Sequence, residues 1–162
     1  MVNNMREQLI RAGYAQNSRP NMQKKGQQFD FESFDVVTEA EKAIEGLKYK
    51  DKNNRDRIDV TTSQIRKFLT AVNVVRNKVD LYKAKNKGAE ALSEELTAEI
   101  KFLKVNLLYQ AGRTAAVKQF MTISKLDVII DSIGDSLARF VKFTKYVEAL
   151  VAYHKFLGGK DK

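Results

Sequence analysis

The chain of 162 residues contains no cysteine, no tryptophan, a single histidine and a single proline. Without cysteine it has neither a disulfide framework nor a thiolate metal site, which fits a reducing cytosol. The lone proline, Pro20, leaves the rest of the chain without the residue that interrupts helices most strongly. The longest apolar run, 149–153, is far too short to cross a bilayer, and residues 1–15 lack the apolar core of a signal peptide. We therefore expect a soluble, cytoplasmic protein.

Alternation of apolar and polar residues is also scarce, and apolar residues instead recur at helical spacing. We predict an all-α fold, a compact helical bundle of about five helices in residues 35–162. Residues 1–34 are predicted to form a less ordered N-terminal arm, with at most a short amphipathic helix through Met5, Leu9 and Ile10. The charged stretch 48–59 has no periodicity and is expected to be a loop.

The C-terminal stretch from Asp135 to Lys162 is the segment around which the bundle is predicted to pack. Asp135 and Ser136 are both candidates for the capping residue at its start, and the pair Gly158-Gly159 offers the left-handed conformation that terminates a helix. Two apolar stripes run along it, so this helix should meet partners on more than one side. The stripes are Leu137, Phe140, Val141, Thr144, Val147, Leu150, Val151 and His154, and Phe143, Tyr146, Leu150, Tyr153 and Leu157.

The third predicted helix begins at Ser93, and a glycine at position 112 is expected to close it before Arg113 and Thr114 open a fourth. Its apolar residues occupy two sides, so we expect it to be heavily buried. One side carries Leu96, Ile100, Leu103 and Leu107, and the other Phe102, Val105 and Tyr109.

The formal net charge is +9, and it is unevenly distributed. Residues 61–88 hold seven basic residues and one acid, and residues 113–126 hold three basic residues and no acid. Two segments that carry the whole excess indicate a face suited to a polyanion such as nucleic acid. The simpler alternative is that net charge serves solubility and that its distribution is accidental.

Several patterns could in principle support chemistry, and each has a simpler explanation. His154, the only histidine, lies on an apolar stripe, so we interpret it as a core or interface residue. Asp127, Asp131 and Asp135 share a helical spacing that could hold Mg²⁺, although acids at helix starts are more often caps and dipole partners. We predict no catalytic residue, no metal site and no cofactor.

Three further patterns concern binding and nucleophilic chemistry. The aromatic residues of the last helix are mostly core, with Tyr153 or Phe156 the candidates for a base-stacking ring. The glycine pair at 158–159 ends a helix, whereas a phosphate-binding loop opens one. The hydroxyls at 61–63 have no base beside them and are interpreted as a helix cap. The sequence therefore does not indicate an enzyme.

Three stretches taken together resemble a known family. They are Val60-Thr61-Thr62-Ser63-Gln64-Ile65-Arg66, then Tyr109-Gln110-Ala111-Gly112-Arg113 followed by Val117-Lys118, and finally the segment 146–161, YVEALVAYHKFLGGKD. Their order and spacing resemble the small subunit of the type III-A CRISPR effector, the Csm complex. The resemblance covers about residues 35–162 and leaves the N-terminal arm outside.

The resemblance implies a small helical protein present in several copies in a ribonucleoprotein filament. Its implied partners are the backbone and large subunits, other copies of itself, and the guide RNA–target RNA duplex or single-stranded RNA. Cleavage chemistry in such complexes belongs to other subunits, so the resemblance implies an RNA-backbone binder without catalysis.

A sequence-independent RNA clamp needs lysine and arginine directed at phosphates. We predict six RNA-binding residues, Arg66, Lys67, Lys78, Arg113, Lys118 and Lys125. Arg113 is expected where the fourth helix starts, so that backbone amides beside it could help to hold a phosphate. Each of these side chains could instead solvate a helix face or pair with an acid on a neighbouring subunit. The alternative function is a protein–protein scaffold that does not bind RNA directly.

Overall fold

The computed structural model of the chain describes residues 29–162. The helix predicted around Met5, with most of the predicted N-terminal arm, lies outside the described residues. Six α-helices form the described part: α1 (Val36–Glu45), α2 (Thr62–Lys85), α3 (Glu94–Arg113), α4 (Ala115–Ser124), α5 (Leu126–Ile133) and α6 (Leu137–Phe156). The mostly helical fold is as predicted, and the turns expected at 127–132 form a helix of their own, α5.

The predicted helix caps are present in the structure. The Thr61 hydroxyl accepts a hydrogen bond from the Gln64 amide, and the Gln64 side chain accepts one from the Thr61 amide. The hydroxyls of Ser93 and Ser136 cap α3 and α6 by accepting hydrogen bonds from the amides of Leu96 and Arg139. A cap of this kind stabilises a helix by about 1 kcal/mol. Gly158, with φ at 93°, follows the end of α6 in the left-handed region.

One predicted helix boundary and one predicted loop differ from the structure. Helix α3 continues through Gly112 to Arg113, and Thr114 is the cap of α4. Gly112 does not adopt a positive φ, and a Cβ there would meet nothing within 4 Å, so neither conformation nor crowding makes it a stop. Within the stretch predicted as a loop, β1 (Tyr49–Lys50) and β2 (Asp56–Arg57) pair antiparallel. Strands of two residues are too short to show an alternating pattern.

Helix α6 occupies the centre of the bundle, as its two apolar stripes predicted. It packs against α1, α2 and α5, while α3 packs against α2, α4 and α5. Phe140, Phe143 and Tyr146 of α6 are buried, and the Tyr146 hydroxyl donates a hydrogen bond of 3.0 Å to the Ser124 carbonyl. Among residues 29–162, no helix is both long and apolar enough to cross a membrane.

Residues 29–34 pack onto the bundle ahead of α1 through three aromatic rings. Phe31 is buried, and the guanidinium of Arg139 lies 5.5 Å from the centroid of its ring. Phe34 meets Tyr146 edge-on, with centroids 4.9 Å apart, and Phe29 contacts both of the other rings of this segment. The rings therefore hold the segment against the central helix.

The outward side of α3 differs from the prediction. Phe102, Val105 and Tyr109 were expected in the core, yet they are 62%, 50% and 65% exposed. Helices α2 and α5 flank α3, and no described element covers the side that faces away from the core. Helical periodicity identifies an apolar face, but it does not say whether a neighbour within the same chain covers that face.

Candidate nucleic-acid interface

The C-terminal tail, residues 157–162, binds the backbone amides at the N-terminal end of α2. The amides of Thr62 and Ser63 donate hydrogen bonds of 2.7 and 3.2 Å to the carbonyls of Lys160 and Asp161. The Gln64 amide is already bonded to the side chain of its cap. The first three amides of α2 are therefore paired, although a helix start normally leaves them without backbone partners.

His154 connects this tail to α2 from inside the core. Its ring is fully buried, and Nε2 donates a hydrogen bond of 2.6 Å to the Val60 carbonyl, which can only accept. Nδ1 lies 3.2 Å from the Thr62 hydroxyl and accepts a hydrogen bond from it. Burial lowers the pKa of His154 below its ordinary value, so the imidazole is neutral. The interpretation of His154 as a core residue is confirmed.

The three stretches that carry the family resemblance meet at one end of the molecule. The first, 60–66, and the third, 146–161, are joined by the tail and by His154. The second forms the corner between α3 and α4. Helices α2 and α3 run antiparallel: Lys78 pairs with Glu99 near the start of α3 at 2.8 Å, and Ala71, earlier in α2, lines a groove together with Asn106, later in α3. The last turn of α3 therefore lies at the same end of the bundle as the first turn of α2.

Four of the six predicted RNA-binding residues belong to this end of the molecule. Arg66 and Lys67 lie in the first turns of α2, Arg113 ends α3, and Lys118 lies in the first turn of α4. All four side chains are exposed. We call these four residues the basic end. Positive charge from three helices is thus collected near one end of the bundle, and such a concentration of charge attracts polyanions.

The tail adds a lysine that is not among the six residues predicted from the sequence. Lys160 is exposed, and its carbonyl caps α2, so its side chain leaves the backbone beside the basic end. Asp161 is the acid of this region, and its carboxylate binds the Lys155 ammonium at 2.7 Å. That hydrogen bond, and to a smaller degree the charge of Arg66, lowers the pKa of Asp161. No sequence signal showed that the last residues return to the start of α2.

The two other predicted residues lie apart from the basic end. Lys78 is in the middle of α2, and both carboxylate oxygens of Glu99 accept hydrogen bonds from its ammonium at 2.8 Å. Lys125 is at the opposite end of α4, in the left-handed conformation with φ at 55° that joins α4 to α5. It is exposed, and it lies seven residues beyond Lys118, about 10 Å farther along α4.

Arg113 occupies a different position from the predicted one. It is the last residue of α3, and its guanidinium lies 5.7 Å from the centroid of the Tyr109 ring. The corner nevertheless places it beside the start of α4, where the side chain of the cap residue Thr114 makes no hydrogen bond. Within residues 29–162, no side chain therefore accepts a hydrogen bond from the first amides of α4, which follow Arg113 directly.

The residues considered for metal binding and base stacking are spread out. Asp131 binds the Lys104 ammonium, and residues 29–162 contain no group of three or more acidic or histidine side chains placed to hold a metal ion. Phe156 is 82% exposed at the end of α6, whereas Tyr153 is only partly exposed. Of these two candidate rings, Phe156 is therefore the one that is open to a ligand.

Known proteins match most of this chain. A family model described as Csm2 Type III-A matches residues 36–160. A Streptococcus thermophilus protein named "CRISPR system Cms protein Csm2" is 38% identical over 125 residues, which cover 77% of this chain and 93% of the relative. A protein of the same name from Mycobacterium tuberculosis is 36% identical over 128 residues, covering 79% and 95%.

A third relative extends the match to another bacterial genus. The protein of the same name from Enterococcus italicus is 33% identical over 141 residues, which cover 82% of this chain and 92% of the relative. The matched region, 36–160, includes all six helices and, except for the last residue of the third, the three motifs that meet at the basic end. The chain therefore belongs to the Csm2 family, the small subunit of the type III-A CRISPR Csm complex.

Proposed function

We propose that this chain is a non-catalytic subunit that stacks in several copies along a cytoplasmic ribonucleoprotein and binds the backbone of the target RNA without reading its sequence, as part of antiviral defence. The observation that carries this proposal is the basic end. Arg66, Lys67, Arg113 and Lys118 come from three helices, and all four are exposed near one end of the bundle.

The chemistry of the basic end suits phosphate rather than bases. Guanidinium and ammonium groups form charge-assisted hydrogen bonds with phosphate oxygens, and these contacts carry no sequence information. In an RNA-guided complex, base pairing with the guide already reads the sequence, so a subunit that binds the RNA backbone independently of sequence is sufficient. The hydrogen-bonded tail at the start of α2 holds Arg66 and Lys67 on a rigid support.

A second candidate is a protein–protein scaffold that does not contact RNA directly. The exposed apolar side of α3 favours it, because large exposed apolar patches mark interaction surfaces. In that role the basic end would meet acidic surfaces of neighbouring subunits. The two candidates differ in whether the isolated chain binds RNA and in how that binding depends on salt.

The experiment measures binding of the full chain to a fluorescent, unstructured RNA across a salt series. One variant changes the four basic-end residues to alanine. The matched control removes the same number of charges elsewhere, at Lys52, Arg55, Lys83 and Lys87, which are all exposed. We expect the first variant to lose affinity and its salt slope to fall by up to about three, at about 0.7 per phosphate contact.

Each outcome decides between the candidates. Loss of binding in the basic-end variant, with the control close to wild type, supports the RNA clamp. Equal losses of RNA affinity in both variants would show that only the net charge matters, and would overturn the assignment of the site. No binding by the wild-type chain at low salt would favour the scaffold.

A further inference from the structure

The groove between α2 and α3 is apolar and open among the described residues. Its volume is about 600 Å³, and Ala71, Val74 and Phe102 line it. Exposed apolar side chains continue from it along both helices. Leu81 follows Val74 at a spacing of seven, on the same face of α2, and Val105 follows Phe102 on α3. We call this surface the α2–α3 groove. Such a groove between two helices suits the apolar face of a third helix.

The sequence of residues 1–28, which lie outside the described residues, has the pattern of such a helix near its start. Four apolar residues recur at spacings of three and four, which places them on one face of a helix. They are Val2, Met5, Leu9 and Ala12. Ile10 extends this face on one flank, whereas Glu7 falls on the opposite side at 100° per residue. Residues 13–28 are mostly polar and contain Pro20, a composition typical of a linker.

Residue 29, where this segment joins the bundle, lies one helix away from α3. The Phe29 amide donates a hydrogen bond of 3.4 Å to the Ser132 hydroxyl of α5, and the adjacent residue, Asp131, binds Lys104 of α3. A helix is about 10 Å wide, and residues 13–28 span up to about 50 Å when extended. The linker is therefore long enough to bring residues 2–12 to the α2–α3 groove of the same chain.

The charges of the two segments are opposite. Residues 1–28 hold five basic residues and one acid, whereas residues 89–112, which include most of α3, hold four acids and two basic residues. Glu95 lines the groove and forms no salt bridge with another residue in 29–162. Arg6 precedes Leu9 by three residues, at the edge of the apolar face, where it is placed to pair with a carboxylate of the groove.

We propose that residues 2–12 form a helix that packs its apolar face into the α2–α3 groove of the same chain. Met5 and Leu9 are then removed from water, and they cover Val74 and Phe102 in return. A linker of this length holds the segment at an effective concentration on the order of millimolar beside its own groove, which favours that groove over the groove of a second copy. The proposal does not rest on RNA binding.

Cysteine cross-linking tests the contact directly, because the natural chain has no cysteine. Under mild oxidation, a full chain with Leu9→Cys and Val74→Cys should form an internal disulfide. It should do so at least about tenfold faster than a chain with Glu7→Cys and Val74→Cys, since cysteines that point apart are not bridged. The second control pairs Leu9→Cys with Val37→Cys, an exposed valine that is closer along the chain. Equal rates for the three pairs would overturn the proposal.

A mixture of two single variants distinguishes the same chain from a second copy. Leu9→Cys and Val74→Cys on separate chains should link slowly and in proportion to concentration, whereas the double variant should link at a rate that does not depend on concentration. A double variant that forms mainly cross-linked dimers would overturn the assignment to the same chain.

Hydrogen exchange of the full chain, without cysteines, tests whether the segment is bound. Amides in 5–12 should exchange at least about tenfold more slowly in wild type than in Leu9→Glu, which brings a charge into the groove. Asn4→Glu adds the same charge on the polar side of the helix and should leave exchange close to wild type. Equal exchange in wild type and Leu9→Glu would overturn the proposal. The RNA titration of Leu9→Glu separates this outcome from failure of the RNA-binding proposal, because Leu9 is not part of the basic end.

Discussion

The imidazole of His154 lies so close to the backbone of Gly159 that a Cβ atom at position 159 would overlap the ring. Gly159 is buried, and its amide donates a hydrogen bond of 2.7 Å to the His154 carbonyl. The tail can therefore turn back toward α2 only because position 159 lacks a side chain. Through this contact the last residues of the chain reach the amides at the start of α2.

Gly159→Ala should destabilise the protein, because the ring that it would strike is buried and hydrogen-bonded at both nitrogens. Overpacking of this kind costs about 1–3 kcal/mol, measurable as a reduced free energy of unfolding in urea. Gly112→Ala is the control, since a Cβ there meets nothing within 4 Å. In a helix that change should stabilise by about 0.5–1 kcal/mol. Equal stability of the two variants would show that the ring is free to move away.

Thr62→Val should destabilise the protein by about 1–3 kcal/mol, since it leaves the buried Nδ1 of His154 without a donor. The shape of the side chain is nearly unchanged, so the effect isolates the hydroxyl. Thr70→Val, at an exposed position of the same helix, should change the free energy of unfolding by less than about 0.5 kcal/mol. If both variants unfold alike, the Thr62 hydroxyl does not act on His154.

Stability should fall as the pH drops below about 6.5. Burial lowers the pKa of His154 in the folded state below its ordinary value of 6.5, so the unfolded chain takes up the proton first. Stability is therefore fully present above that pH and is lost toward the folded-state pKa, by up to about 1.4 kcal/mol per pH unit. The free energy of unfolding in urea, measured between about pH 7.5 and pH 5, tests this dependence.

The control for the pH experiment is His154→Gln, which removes the only histidine. This variant should be less stable at neutral pH but should show a much flatter dependence over the same range, where most carboxylates stay ionised. A pH dependence as steep as that of wild type would assign the effect to other groups.

Among the single alanine variants, Lys67→Ala should weaken RNA binding more than Lys78→Ala. Lys67 lies at the basic end, whereas the Lys78 ammonium is already bound by both oxygens of Glu99. Each phosphate contact that is lost should lower the salt slope by about 0.7, so Lys67→Ala should show this change and Lys78→Ala should not. If a salt titration showed a larger loss of RNA affinity for Lys78→Ala than for Lys67→Ala, the RNA would contact α2 near Lys78 instead.

Phe31→Ala should destabilise the protein by about 3 kcal/mol, because a buried ring in contact with Arg139 is removed. Phe156→Ala is the matched control, since that ring is 82% exposed. Thermal unfolding should therefore separate two variants with the same chemical change. Similar melting temperatures would mean that residues 29–34 add little to the bundle.

The local features of this protein follow from the sequence. Polar side chains before apolar periodic segments indicate helix starts within 60–63, near Ser93 and at 135–136, and the structure has Thr61, Ser93 and Ser136 as the caps. The glycine at 158 indicates the end of α6 because few other residues adopt a positive φ. The two apolar stripes of α6 predict its central position. These signals depend on residues within one or two turns of each other, so the sequence contains them in full.

Contacts between distant segments were decided only by the tertiary structure. Sequence spacing does not show that Lys160 returns to Thr62, or that Arg66 and Arg113 lie at the same end, because chain reversals between the helices set these relationships. The outward side of α3 has the periodicity of a core face, and only the positions of the neighbouring helices leave it exposed. An apolar face is encoded locally, whereas what covers it depends on how the whole chain packs.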